Sequence, residues 1–211
     1  ASGLGSKAAP IASSLARLFI AETDAFIAID IKQALVACAA DVEEPLLSAV
    51  PNANEAQLLR IVEALGITGS SSPAALEFLR EQLGTDDPKL VMAACGALEQ
   101  LGPTARPLLP ALIALAERPR VPLDVATNNG RVFRASRDVT GAAVRAMAAV
   151  GADDSAIPVL TVCLGREPSI AAVAAKALAE VGPAAASALP KLQKLQNRDD
   201  HGGKDIKTRL A

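Results

Sequence analysis

Large aromatic side chains are nearly missing from this chain: it has no Trp, no Tyr and only four Phe in 211 residues. A conventional single core draws much of its buried area from such rings, so packing here must come from other residues. Histidine is reduced to His201, alone in a polar stretch beside Gly202 and Gly203. A lone tail histidine reads as solvent-exposed, and no Ser-His-Asp triad can be built around it. Cys38, Cys95 and Cys163 lie far apart without CxxC spacing. They read as buried thiols, with a disulfide or metal framework as the lesser alternative. No His, Cys, Asp and Glu cluster has metal-ligand spacing, and no Walker loop or dinucleotide fingerprint occurs. No metal, no cofactor and no catalytic residue is therefore expected. Formal net charge is only -2, which excludes polyanion binding by bulk charge. No stretch reaches 18 uninterrupted apolar residues, so no membrane span is expected. The chain opens on Ala1 without a signal-peptide pattern. It reads as processed or as part of a longer protein, and its compartment is not readable.

What the chain does have is Ala, Leu and Val, with 51% hydrophobic residues in all, and a phrase that recurs. Leu4-Gly5-x-x-Ala8-x-Pro10 returns as Leu101-Gly102-x-x-Ala105-x-Pro107, and a relative returns as Val181-Gly182-Pro183-x-Ala185. Fixed-period recurrence marks a stacked repeat protein. Five glycines serve as anchors: Gly5, Gly66, Gly102, Gly151 and Gly182. Upstream of Gly102 the apolar positions are Leu101, Leu98, Ala97, Ala94 and Leu90. Upstream of Gly182 they are Val181, Leu178, Ala177, Ala174 and Ile170. Upstream of Gly151 they are Val150, Met147, Ala146, Ala143 and Val139, and Gly66 follows Leu65, Val62, Ile61 and Leu58. Steps of one, three and four place these side chains on one helical face. The anchor glycine suits a left-handed helix end, and a following proline suits the start of the next helix. The spacing predicts helices over 8–21 and 24–40, then pairs at 43–50 and 53–65, 73–84 and 89–101, 104–117 and 137–150, and 154–164 and 169–181, with a last helix over 183–196. Asp86-Asp87-Pro88 and Glu167-Pro168-Ser169 separate repeats and offer caps. Glu43-Glu44 and Asp86-Asp87 are read as favouring helix dipoles.

The residues Asp86-Asp87-Pro88, Ala93-Ala94, Ala97-Leu98, Leu101-Gly102-Pro103 and Leu108-Leu109-Pro110-x-Leu112 resemble bacterial HEAT repeats, particularly the short Ala-rich kind found in phycobilisome-lyase-type proteins. Ala174-Ala175-x-Ala177-Leu178 with Val181-Gly182-Pro183 repeats the match. The resemblance implies an all-α fold: an α-solenoid of about five HEAT-type antiparallel helix pairs in one domain over 1–211. Many HEAT repeats carry an Arg that ties neighbouring repeats. Arg145 suits that part in one copy, whereas Lys89-Leu90-Val91-Met92 offers no clear equivalent. The diiron hydroxylases of HEAT-like build need repeated His-Glu pairs, which are absent. Both ends cut through a repeat: 1–21 reads as a lone helix with its turn. Residues 199–211 read as a polar tail or the start of a further repeat, with Ile206 and Leu210 as the hint. Uncapped solenoid ends expose stacking faces, so flanking repeats or domains, or self-association through those ends, are expected.

One place breaks the period. Gly102 and Gly151 are 49 residues apart, against 36 for Gly66 to Gly102 and 31 for Gly151 to Gly182. The excess is 118–137, which contains Pro119, Pro122, Asn128, Asn129 and Gly130. Leu123, Val125 and Thr127 alternate before Asn129-Gly130, and Val132 and Arg134 follow. Asn-Gly between extended runs is a strong hairpin signal, so a β-hairpin or ordered arm is expected, with a disordered loop as the alternative. The insertion holds Arg118, Arg120, Arg131, Arg134 and Arg137 against Asp124 alone. With Phe133, these arginines form a candidate partner-docking patch. The competing reading pairs them with Asp138, Asp153 and Asp154, or with solvent. The function expected from this sequence is a non-catalytic protein-binding scaffold or adaptor, using its concave helical face and the Arg-rich arm. A bilin lyase-type subunit is the enzymatic alternative that the resemblance permits, although residues suited to a tetrapyrrole are scarce. Nucleic-acid backbone binding through the insertion is a weaker third.

Overall fold

A computed structural model describes residues 9–22, 24–37, 42–118, 127–128, 131–132 and 139–195. The architecture is an all-α solenoid whose helices follow the apolar periodicity. The helices are α1 (Ala9–Ala21), α2 (Ala25–Ala37), α3 (Glu43–Ala49), α4 (Glu55–Thr68), α5 (Pro73–Gly84), α6 (Pro88–Leu101), α7 (Leu109–Glu117), α8 (Val139–Val150), α9 (Ile157–Cys163) and α10 (Pro168–Val181). Residues 189–195 are helical as well. The chain divides into two compact units, Ala1–Val150 and Gly151–Ala211.

In the first unit, α2, α4, α6 and α8 form a row in which each helix packs on the next. Helices α5 and α7 back that row, with α5 against α6 and α7 against α8. The shortage of rings is met by close approach. Ala94, Ala97, Ala143 and Ala146 are buried between helices, and Leu65, Leu79, Leu98, Leu112, Leu115 and Met147 fill the space around them. The second unit repeats the pattern on a smaller scale. Leu160, Cys163, Leu164, Ala174, Ala177 and Leu178 are buried where α9 meets α10.

The helix starts use local hydrogen bonds. Asp87 caps α6 by accepting from the Lys89 N–H at 2.9 Å. Asn54 and Gln57 form a capping box on α4: Asn54 Oδ1 accepts from Gln57 N–H at 3.0 Å, and Gln57 Oε1 accepts from Asn54 N–H at 2.9 Å. Ser72 caps α5 by a single bond, its Oγ accepting from the Ala75 N–H at 3.2 Å. The acidic pair Glu43-Glu44 opens α3, where its charge favours the helix dipole.

Two expectations change in detail. The periodicity ends a helix at Gly66, but α4 runs on to Thr68 and closes at Gly69, which has φ +73°. Gly66 is instead buried in the helix interior, where a Cβ would stand 2.7 Å from Ala97 Cα of α6. Its glycine allows two backbones to approach and ends nothing. The second change concerns the phrase itself. After Gly102 and Gly182 the chain does not enter an α-helix directly but makes 3₁₀ turns over Gly102–Leu108 and Gly182–Ala188. Pro103 and Pro107 withhold two N–H groups from an α-ladder in the first turn, and the tighter turn leaves Ala105 buried beneath it.

Residues Thr127–Asn128 and Arg131–Val132 pair as antiparallel strands β1 and β2, with Thr127 opposite Val132 and Asn128 opposite Arg131. This is the pairing expected of a hairpin turning at Asn129-Gly130. Residues 168–195 make one helical run long and apolar enough, by length and composition, to cross a membrane. The 3₁₀ segment interrupts it, and α10 packs on α9.

Candidate functional site

The solvent face of the α2–α4–α6–α8 row is crossed by ion pairs running from helix to helix. Lys32 Nζ of α2 lies 2.6 Å from Glu63 Oε1 of α4. Lys89 Nζ of α6 lies 2.8 Å from Glu55 Oε1 of α4. Arg145 Nε of α8 lies 3.7 Å from Glu99 Oε2 of α6. Glu55, Leu59 and Glu63 recur every four residues, so they share one edge of α4. Lys89, Ala93, Gly96 and Glu99 line the corresponding edge of α6. Arg145 thus ties neighbouring repeats as the repeat pattern implied. Lys89 does the same for the joint where no tie was foreseen. A lysine head at the first turn of α6 reaches back to a carboxylate at the first turn of α4. The Glu55 and Glu63 signal was present as a four-residue spacing, but sequence could not say which cations they meet.

This arrangement sets the chemistry of the face. Glu55, Glu63 and Glu99 are each matched by a cation from the adjacent helix, with Leu59, Ala93 and Gly96 between them along the two edges. Such a surface suits a protein partner more than a phosphate backbone, which needs cations not already engaged. At its edge, the Arg60 guanidinium sits 5.1 Å from the Phe19 ring centroid. It also approaches Glu63 Oε2 at 3.9 Å. An open groove beside it is lined by Ile29, Lys32, Gln33 and Val36 of α2. Among the described residues, no group of three or more His, Cys, Asp or Glu could hold a metal ion.

Cys95 and Cys163 are buried thiols outside any disulfide, as expected of packing cysteines; Cys38 lies outside the described residues. Burial pushes the Cys95 thiol up to about 12, opposed by the positive charge of Arg145 and reinforced by the negative charge of Glu99. A thiol held protonated this firmly is no nucleophile. Of the insertion residues, Arg118 is exposed just beyond the end of α7. Arg131 opens β2 opposite Asn128. Arg120, Phe133, Arg134 and Arg137 lie outside the described residues, as does His201.

No family model and no curated protein matches the chain. A solved structure does: the complex of CpcE and CpcF of phycocyanin lyase from Nostoc sp. PCC7120. The TM-score is 0.55 at 21% identity, over 81% of this chain and 65% of that one. The chain is HEAT-like in fold. It spans just under two thirds of the length of that neighbour.

This likeness overturns one expectation. The sequence, lacking triads, metal clusters and nucleotide loops, was read as that of a non-enzyme. The same helical build over most of the chain occurs in a lyase complex. Lack of a recognisable catalytic cluster in a helical-repeat chain therefore does not argue against an enzymatic role, and the non-catalytic reading is withdrawn.

Proposed function

We propose that this chain is a bilin lyase-type subunit that holds a protein substrate along its helical row. The observation that carries this reading is the shared arrangement with the phycocyanin lyase complex over 81% of the chain. The ion-paired face supports the reading: Leu59, Gly96 and Arg145 lie among matched charges, a surface suited to broad contact with a folded protein. The Arg-rich insertion, Arg118 to Arg137, is proposed to add to partner binding, its arginine forks meeting carboxylates of the partner.

The test is reconstitution. The chain is mixed with a free bilin and the phycocyanin apoprotein, with and without a second lyase-type subunit. Expected are a visible absorbance band on mixing with the bilin and a covalently coloured apoprotein that survives denaturing electrophoresis. Absence of both, with and without the second subunit, would refute the lyase reading. In the same assay Arg131→Glu with Arg134→Glu should weaken apoprotein pull-down; unchanged binding would remove the insertion from the contact.

A further inference from the structure

We propose that the outward face of α2 is the seat of a second copy of this chain. Helix α2 holds ten apolar residues out of thirteen, interrupted by Asp30, Lys32 and Gln33, more than one covered side needs. Only one side is covered. Ala28 and Leu35 are buried, while Phe26 is 82% exposed and Ile27, Ile29 and Val36 are about half exposed. Phe26, Ile29, Gln33 and Val36 follow one another at steps of three, four and three, the spacing that forms a packing stripe on a helix. Helix α1, packed against α2, adds Ile11 and Leu18, both about half exposed. Six of the eight exposed large hydrophobics among the described residues therefore lie on these two helices, and none lies on α4, α6 or α8.

The occupant follows from the kind of surface and its size. Along the row, apolar stripes of this spacing meet stripes of the same kind on the next helix, so like packs on like. Leaving out Ile27, which a step of two turns away from Ile29, the exposed side chains present roughly 500 Å² of apolar surface, short of the 800 Å² or so that each partner contributes to a standard interface but within the range of the largest patches on monomers. Two copies meeting face to face would bury about twice that, within reach of a specific dimer. Asp30, a step of four from Phe26, is exposed at one flank of the stripe. Lys32 at its flank is already matched by Glu63. Gln33, its one polar member, carries both donor and acceptor and can meet its own counterpart across a two-fold axis. This inference does not depend on the lyase reading.

The experiment is sedimentation equilibrium of the full chain from low to high micromolar concentration. A monomer–dimer equilibrium is expected, little changed by salt. Phe26→Glu with Val36→Glu should weaken it by roughly 100-fold, as loss of central apolar anchors does. Leu189→Glu, an equally exposed apolar position elsewhere, should leave it unchanged. A monomer at every concentration would overturn the proposal, whether the face is bare, covered by the same chain or kept for a different protein. Equal weakening by Leu189→Glu would overturn it too. If the double variant loses its helical circular dichroism, Ile29→Cys replaces it. A disulfide-linked dimer on mild oxidation is expected, and failure to cross-link refutes the face.

Discussion

Replacing Gly66 by alanine should destabilise the protein even though alanine is the better helix former. Two effects oppose one another. Removing a glycine from a helix interior is worth about 1 kcal/mol in propensity. Against this, the new Cβ would stand 2.7 Å from Ala97 Cα, 3.0 Å from Ala97 Cβ and 3.4 Å from the Ala97 carbonyl oxygen. Carbon atoms rest at about 3.5–4.0 Å, so α4 and α6 would have to part by about 1 Å. What must move is helix backbone rather than the tip of a flexible side chain. The joint also carries Ile61, Leu65, Ala94 and Leu98, all buried. Overpacking of this kind costs about 1–3 kcal/mol, and a shift at a joint lined by fully buried side chains belongs in the upper part of that range. The net loss is then about 1–2 kcal/mol. Gly96→Ala is the matched control: it lies in α6, and a Cβ there meets nothing within 4 Å. That change should stabilise by about 1 kcal/mol. The two alanines should therefore differ by about 2–3 kcal/mol, or about 4–12 °C in Tm for a chain of this length. Urea and thermal unfolding followed by far-UV circular dichroism measure both. A Gly66→Ala protein as stable as Gly96→Ala would refute the close-approach argument.

The buried thiol of Cys95 links stability to alkaline pH. The unfolded chain releases this proton near its ordinary value of 9.0, whereas the folded protein keeps it up to about 12. Between those values the unfolded state binds fewer protons, so stability falls by at most about 1.4 kcal/mol per pH unit, with no loss from this source below pH 9. Denaturant titrations of the wild type and Cys95→Ala across that window should diverge in slope; parallel curves would show the thiol is not withheld from solvent. Asn54→Ala removes the capping box of α4 and should cost about 1 kcal/mol by urea unfolding. Glu63→Gln loosens the α2–α4 tie and should cost no more than about 1 kcal/mol at low salt, with the difference shrinking at high salt. A salt-independent loss would mean the pair acts through packing.

Helix positions were legible because the apolar steps before Gly102, Gly151 and Gly182 are regular, and burial of Leu98, Ala97 and Ala94 follows directly from them. Gly66 misled because a glycine that ends a helix and one that admits a neighbouring backbone look alike in a single sequence. Only the position of Ala97, 31 residues away, separates the two. The 3₁₀ turns after Gly102 and Gly182 were hidden for a similar reason: Gly-Pro marks a corner without stating how tightly the chain winds beyond it. Of the candidate site, Arg145 was readable from the repeat pattern. The partners of Lys89 and Lys32 were not, because an ion pair between helices is fixed by the rotation of each helix and not by spacing along the chain. The bare stripe on α2 was not read from the sequence, because which side of a helix stays uncovered is decided by where α1 and α4 pack.

Helices α7 and α8 pack directly on one another although about twenty residues separate them along the chain. Closing the connection is therefore not a task that stretch performs; the paired helices hold its two ends in place by themselves. Shortening the connection from about twenty residues to about five changes the closure entropy by only about 1.2 kcal/mol, in the favourable direction. The position is thus a natural insertion point. Length and composition there can drift, or be exchanged for a foreign sequence, while the helical stack on either side keeps its register.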